Sequence, residues 1–287
     1  MNTIRLNKIV LRYTLFFIAL LSSSIAKSAD TLYINRDTLS IYPVSFQKTA
    51  FNIDTVFSPK NAVLDFPLGA PIDLVIINND TVSHSVRLPN SSGAINIGEG
   101  LSASITLNNL QKGTHLLYVE SNVGYFLGAG AIIRVGITGQ KYAWDLWDQE
   151  PSLTEDFGNE LLSELPSIYR PTLFTINATV NPMDSTSGTV ITGNVGDTIY
   201  ISIVNNGNMD HTLHFHGYHI EIIQSTLQPY RVGWLKDSFP ILTKESMTVR
   251  LVPHQPGEFP VHNHNLVATL FNNGYPKGMI TMLMIEE

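Results

Sequence analysis

The sequence predicts an all-β protein built as two Greek-key β-sandwiches, and two observations carry that expectation. Short segments rich in β-branched residues follow one another along the chain, punctuated by Asn-Asn, Gly and Pro, the pattern of strands joined by tight turns. The order of these segments in the first half then recurs in the second, as two similar domains would require. Roughly 260 residues are enough for two ordinary cores.

The chain opens with Arg5, Lys8 and Arg12, then the apolar run Leu15 to Leu21, then small residues from Ser22 to Ala29. This order is that of a secretory signal. Residues 1–26 are therefore expected to be a signal peptide cut after Ala26, with Ala29 as the alternative. The apolar run is short for a membrane span, so the mature chain is expected to be secreted or periplasmic, with no stable span once the signal is removed.

Ile72–Asn78, Ser102–Leu107, Thr114–Val119 and Ala131–Val135 read as strands of a first domain, placed at 31–138. The acidic, less strand-like stretch around Trp144 to Pro166 reads as a connection, which sets a linker at 139–170. Asp197–Val204, Ser246–Val252 and Met279–Ile285 read as strands of a second domain at 171–287. The halves can be laid over each other: Ile76 to His84 matches Ile203 to His211, and Lys112 to Val119 matches Pro256 to Asn263.

The formal charge is -7, and loss of the leader removes three cations and no acid. An acidic exported chain is poorly suited to nucleic acid, and no nucleic-acid partner is expected. The chain has no Cys, so no disulfide can form and stability must come from core burial.

Chemistry concentrates in two stretches. One is His211-Thr-Leu-His214-Phe-His216-Gly217; the other is Pro256-Gly-Glu-Phe-Pro-Val-His262-Asn263-His264. On a strand, residues i and i+2 share a face, so His214 pairs with His216 and His262 with His264. If those strands are neighbours, four imidazoles converge at one end of the second sandwich. Neutral imidazole binds copper or zinc. A single H-x-H is more often a pair of surface or hydrogen-bonded histidines; two such pairs, each with a flanking Gly, favour a metal. His219 and His254 read as structural or solvent-facing.

These motifs resemble the paired copper-binding motifs in the last domain of multicopper oxidases, H-x-x-H-x-H-G and P-G-x-(aromatic)-x-x-H-C-H. Tyr169 to Asn177 also resembles a phrase that opens later domains in that family. The resemblance implies cupredoxin-like (plastocyanin-like) domains and copper as the cofactor, with zinc as the alternative. His211, His214, His216, His262 and His264 are the implied metal-ligating residues. Four of them fall at positions of the family's trinuclear cluster, and His211 falls at a blue-copper position on the opposite strand face. Asn263 stands where the family has Cys, Ala268 lies near where it has another His, and Met279 sits in a Gly-Met pair like the one that supplies the axial ligand. A blue copper site needs a thiolate, so an ordinary one is excluded.

The first domain departs further. His84 matches the first motif position, but Arg87 and Pro89 follow it, and Tyr118-Val119-Glu120 replaces the second motif. The resemblance also implies a homo-oligomer, a trimer, in which metal lies between the first domain of one subunit and the second of another. The function read from these features is an exported, copper-binding, multicopper-oxidase-like protein, with oxidoreductase activity left open and catalytic residues unassigned. The alternative is an inactive interaction or structural module on the same fold.

Overall fold

The computed structural model describes residues 29–159, 161–162 and 164–287; the expected leader at 1–26 lies outside them. In the first half the strands are β1 (Asp30–Ile41), β2 (Val44–Asn52), β3 (Val63–Phe66), β4 (Ile72–Asn78), β5 (His84–Arg87), β6 (Ala94–Ile97), β7 (Ser102–Leu107), β8 (Gly113–Val119) and β9 (Gly130–Val135). They form two sheets, ordered β2-β1-β4-β7 and β3-β9-β8-β5-β6, with a short helix α1 (Asn122–Phe126) between β8 and β9.

The second half contains β10 (Gln140–Gln149), α2 (Thr154–Gly158), β11 (Leu173–Ile176), β12 (Ile191–Asn194), β13 (Ile199–Asn205), β14 (His211–Phe215), β15 (Ile220–Ser225), β16 (Leu235–Lys236), β17 (Ser238–Ile241), β18 (Ser246–Leu251), β19 (Gly257–Asn263) and β20 (Ile280–Glu286). Its sheets are ordered β11-β10-β13-β18-β15-β16 and β12-β20-β19-β14-β17. The internal repeat therefore extends to pairing. The parallel pairs β1·β4 and β3·β9 have counterparts in β10·β13 and β12·β20, and β5·β8 has its counterpart in β14·β19.

Alternation packs each sandwich. Along β4 the side chains of Ile72, Leu74 and Ile76 are buried against Val86, Leu117 and Ile133 from the facing sheet. In the second sandwich Trp144, Ile201, Ile203 and Val249 meet Leu213, Phe215, Val261 and Leu283.

One expectation is corrected here. The segment 139–170 is not merely a connection: its first part is β10, a sheet strand paired with β13 along Gln140 to Leu146. Its polar residues hide this. Trp144 and Leu146 enter the second core, while Asp145 and Trp147 face the first sandwich. Asp145 and Asp148 are buried, so their acidity marks an internal polar layer and not solvent exposure.

That layer joins the halves. Asn61 donates to Asp145 Oδ2 at 2.7 Å and to the Gly128 carbonyl at 2.9 Å, and Asn206 donates to the same carbonyl at 2.7 Å. Lys48 is buried, donates to the Gly128 carbonyl at 3.0 Å and lies 4.3 Å from the Trp147 ring. Burial lowers its amine to about 8, with Asp145 opposing that shift.

Candidate metal centre

The centre stands on two neighbouring antiparallel strands. In β14 the side chains of His211, Leu213 and Phe215 point into the core, so His214 points out. His216 lies just past the strand end, where its N–H still donates to the Pro260 carbonyl at 3.0 Å. Gly217 follows with φ +76°, and a Cβ there would meet the Phe259 ring at 2.4 Å. Glycine is therefore what lets the chain turn away directly behind His216. On β19, His262 pairs with His214 directly across the ladder.

These three side chains each place a ring nitrogen within 4.8 Å of the others. The Nε2 atoms of His216 and His262 are 3.0 Å apart. That is close to the spacing of two nitrogens each about 2 Å from one ion. Two rings are held from behind. His262 Nδ1–H donates to the Asn263 carbonyl at 2.9 Å, and His214 Nδ1 pairs with Ser238 Oγ at 2.7 Å. Each bond leaves Nε2 turned to the cluster, the arrangement of oriented imidazole ligands. His216 is pushed to lower pKa by burial, then by His214 and His262. It therefore stays neutral, and able to ligate, into more acidic solution than an ordinary histidine. Three convergent imidazoles, two of them oriented, fit copper or zinc.

Two of the five expected ligands lie outside this group. His264 was expected to share a face with His262, but β19 ends at Asn263 and the chain turns. The His264 N–H donates to the Thr212 carbonyl at 2.7 Å, and its ring centroid stands 6.0 Å from that of His214. His211 is buried on the opposite face with both ring nitrogens engaged. Its Nε2–H donates to Asp148 Oδ1 at 3.0 Å, and its Nδ1 accepts from the Asn263 amide at 2.9 Å. Asn263 also contacts Met279 Sδ at 3.4 Å, and Ala268 and Met279 are fully buried beside it. No thiolate and no second imidazole face this pocket, so it does not fit blue copper.

In the first half, the paired positions equivalent to His214 and His262 hold Arg87 and Tyr118, which face each other across β5 and β8. Arg87 is ion-paired with Glu120. His84 is buried, donating Nε2–H to Asp80 Oδ2 at 2.7 Å with Ser121 Oγ at 3.1 Å from Nδ1. His115 Nε2 lies 2.8 Å from the Gln111 carbonyl. None of these joins the three histidines. Sequence reasoning missed Ser238 and Asp148, each remote in the chain from the histidine it touches and neither inside a motif.

The fold is all-β, two cupredoxin-like sandwiches in one chain. Residues 163–272 match the multicopper oxidase family model. No curated protein sequence matches the chain. Among solved structures, the chain is similar to a blue copper oxidase from Nitrosomonas europaea, with 18% identity and a TM-score of 0.72 over 89% of this chain and 85% of that one. The multicopper oxidase mgLAC matches with 16% identity and a TM-score of 0.72 over the same shares, 89% and 85%. A copper nitrite reductase from Nitrosomonas europaea matches with 16% identity and a TM-score of 0.66 over 90% of this chain and 93% of that one. Among the described residues, no helix is long and apolar enough to cross a membrane.

Proposed function

We propose that this is an exported copper-binding protein on a multicopper-oxidase-like scaffold, which holds copper through His214, His216 and His262. The observation that carries the reading is the convergence of three imidazole nitrogens within 4.8 Å, with two rings oriented from behind. Export is read from the leader pattern at the N-terminus. Bound there, copper would supply a Lewis-acidic, redox-capable ion. The chain contributes three imidazole donors, Ser238 and the Asn263 carbonyl to orient two of them, and an exposed flank at His216. Where a blue centre would receive electrons, it offers Asn263 and Ala268. The function is accordingly copper holding and delivery, or chemistry confined to the three-histidine centre, without a blue relay.

The test is metal analysis of protein purified from the exported fraction, with electron paramagnetic resonance of the copper-loaded form. Copper with nitrogen hyperfine structure and no intense blue band is expected. Retention of that copper by a His214→Ala, His262→Ala double variant would sink the assignment and move the function to an interaction module.

A further inference from the structure

We propose that Asn263 is the positioning residue of the three-histidine centre, working from the opposite face of β19, and that the pocket it fills takes no metal. Only the last step, from imidazole orientation to copper affinity, rests on the copper reading above.

Every polar function of the Asn263 amide is used. Its Nδ2 hydrogens reach His211 Nδ1 at 2.9 Å and Met279 Sδ at 3.4 Å, and its Oδ1 accepts from the Asn265 N–H at 2.9 Å. The orientation is fixed by a chain of necessity. The Asp148 carboxylate only accepts hydrogen bonds, so His211 must donate to it from Nε2. His211 Nδ1 is then the lone-pair side and requires a donor. A flipped amide would set its oxygen against that lone pair and against sulfur. The amide nitrogen therefore stands between an imidazole and a thioether, where an ion would otherwise have to sit, and it takes up the His211 lone pair. Asp148 is itself held by the Asn208 N–H at 2.9 Å and the Tyr169 hydroxyl at 2.8 Å, so His211 cannot swing away cheaply.

The same residue reaches the three histidines through the ladder. β14 and β19 pair Leu213 with Asn263, His214 with His262, and Phe215 with Val261, and the ladder is continued at its ends by the His264 N–H on the Thr212 carbonyl and the His216 N–H on the Pro260 carbonyl. The His211–Asn263 bond runs diagonally across these two strands at the end where the His264 N–H meets the Thr212 carbonyl. It adds a side-chain tie, one residue from His262, to the backbone bonds of Asn263 N–H with the Met279 carbonyl and His264 N–H with the Thr212 carbonyl. The Asn263 carbonyl, on that fastened backbone, accepts His262 Nδ1–H at 2.9 Å. The side chain on one face thus sets the acceptor that orients the ligand on the other.

The experiment compares Asn263→Leu, His211→Leu and Met279→Leu with the natural protein. Nitrogen-15 NMR of the imidazoles reads tautomers in metal-free protein, and chelator competition reads copper affinity. Without metal, His262 should be the Nδ1–H form and His211 the Nε2–H form. In Asn263→Leu the His262 preference should be lost and copper affinity should fall about tenfold or more, the usual effect of losing a residue that orients a ligand. His211→Leu cuts the same bond from the other strand, should act alike, and decides the matter if Asn263→Leu does not fold. Met279→Leu keeps the volume and the His211 bond, and should leave both readouts unchanged. The proposal is overturned if Asn263→Leu and His211→Leu leave the His262 tautomer as it was. Equal losses in Met279→Leu and Asn263→Leu would overturn it too, since packing alone would then be at work. Copper perturbing the His211 nitrogens in the natural protein would refute the closed pocket. If the natural protein binds no copper through the three histidines, the copper reading falls while the tautomer comparison still decides the role of Asn263.

Discussion

At the scale of single residues, each histidine is decided by what its far nitrogen does. His214 and His262 spend Nδ1 on Ser238 and on the Asn263 carbonyl, which frees Nε2, whereas His211 spends both nitrogens inside the core. Substituting His262 by Ala should lower copper affinity by more than about 100-fold, beyond the range for residues that only orient a ligand, while His264→Ala should cost less than about tenfold. Chelator competition on the two purified variants measures both, and equal losses would restore His264 as a full ligand. Ser238→Ala should cost about tenfold or more in affinity, because the His214 ring loses its backing hydrogen bond. The visible spectrum gives a second check: copper-loaded Asn263→Cys should still lack the intense blue band, since buried Ala268 offers no imidazole. A blue product from that single change would show that the pocket reorganises more freely than its packing suggests. The H-x-H pair and the His-Asn-His run made most of this centre legible, because strand alternation is a local rule. Ser238 and Asp148 were not legible. They lie 24 and 63 residues from the histidines they touch, so only folding brings them there.

At the scale of elements, the centre depends on how β14 ends. His216 belongs to the cluster only because the chain reverses at Gly217, whose φ is +76° and whose missing Cβ leaves room for the Phe259 ring. Gly217→Ala would impose both a left-handed conformation and a clash, for a cost of about 1–3 kcal/mol. Urea unfolding should show that loss, and copper affinity should fall with it as His216 moves. An unchanged midpoint would mean that Phe259 yields and that the turn is not under constraint. His264 shows the converse. Alternation placed it beside His262, but alternation holds only while the strand lasts, and β19 stops one residue too soon. The strand order was legible because both halves repeat it, down to the parallel pairs. β10 was not, since Asp145 and Asp148 interrupt its apolar pattern. Those acids answer Lys48, Asn61 and His211 in three dimensions, and a reading of local composition has no access to that pairing.

At the scale of the whole molecule, the two sandwiches meet through buried polar groups as well as apolar packing, and that makes stability depend on pH between about 7 and 11. Burial lowers the Lys48 amine to about 8 and the Lys244 amine to about 7, each from 10.5, with Asp145 opposing the first shift and Asp148 and Asp145 the second. Lys244 donates to the Asn206 carbonyl at 2.7 Å and lies 4.0 Å from the Tyr125 ring, so both amines sit where the halves join. In the unfolded chain these lysines keep their protons up to about pH 10.5, whereas the folded chain releases them above about 7 to 8. The unfolded state therefore binds more protons across that interval, and stability must rise with pH through it. Tyr125, with Tyr118 and Tyr169 raised in the same direction by burial, sets the upper bound. Burial, then the charges of Tyr118 and Asp148, raise its hydroxyl from 10.0 to about 12, so above about 10 the unfolded state gives up a proton that the folded state retains. From there this tyrosine lowers stability, and the rise should flatten or reverse. Unfolding midpoints measured from pH 6.5 to 11 should accordingly climb and then turn over near 10. Lys48→Met keeps a long apolar stem beside Trp147 and removes one titrating amine, so the climb should become shallower without disappearing. A flat profile in the natural protein, or a slope unaltered in Lys48→Met, would show that solvent reaches this interface and that its lysines remain charged in the folded state.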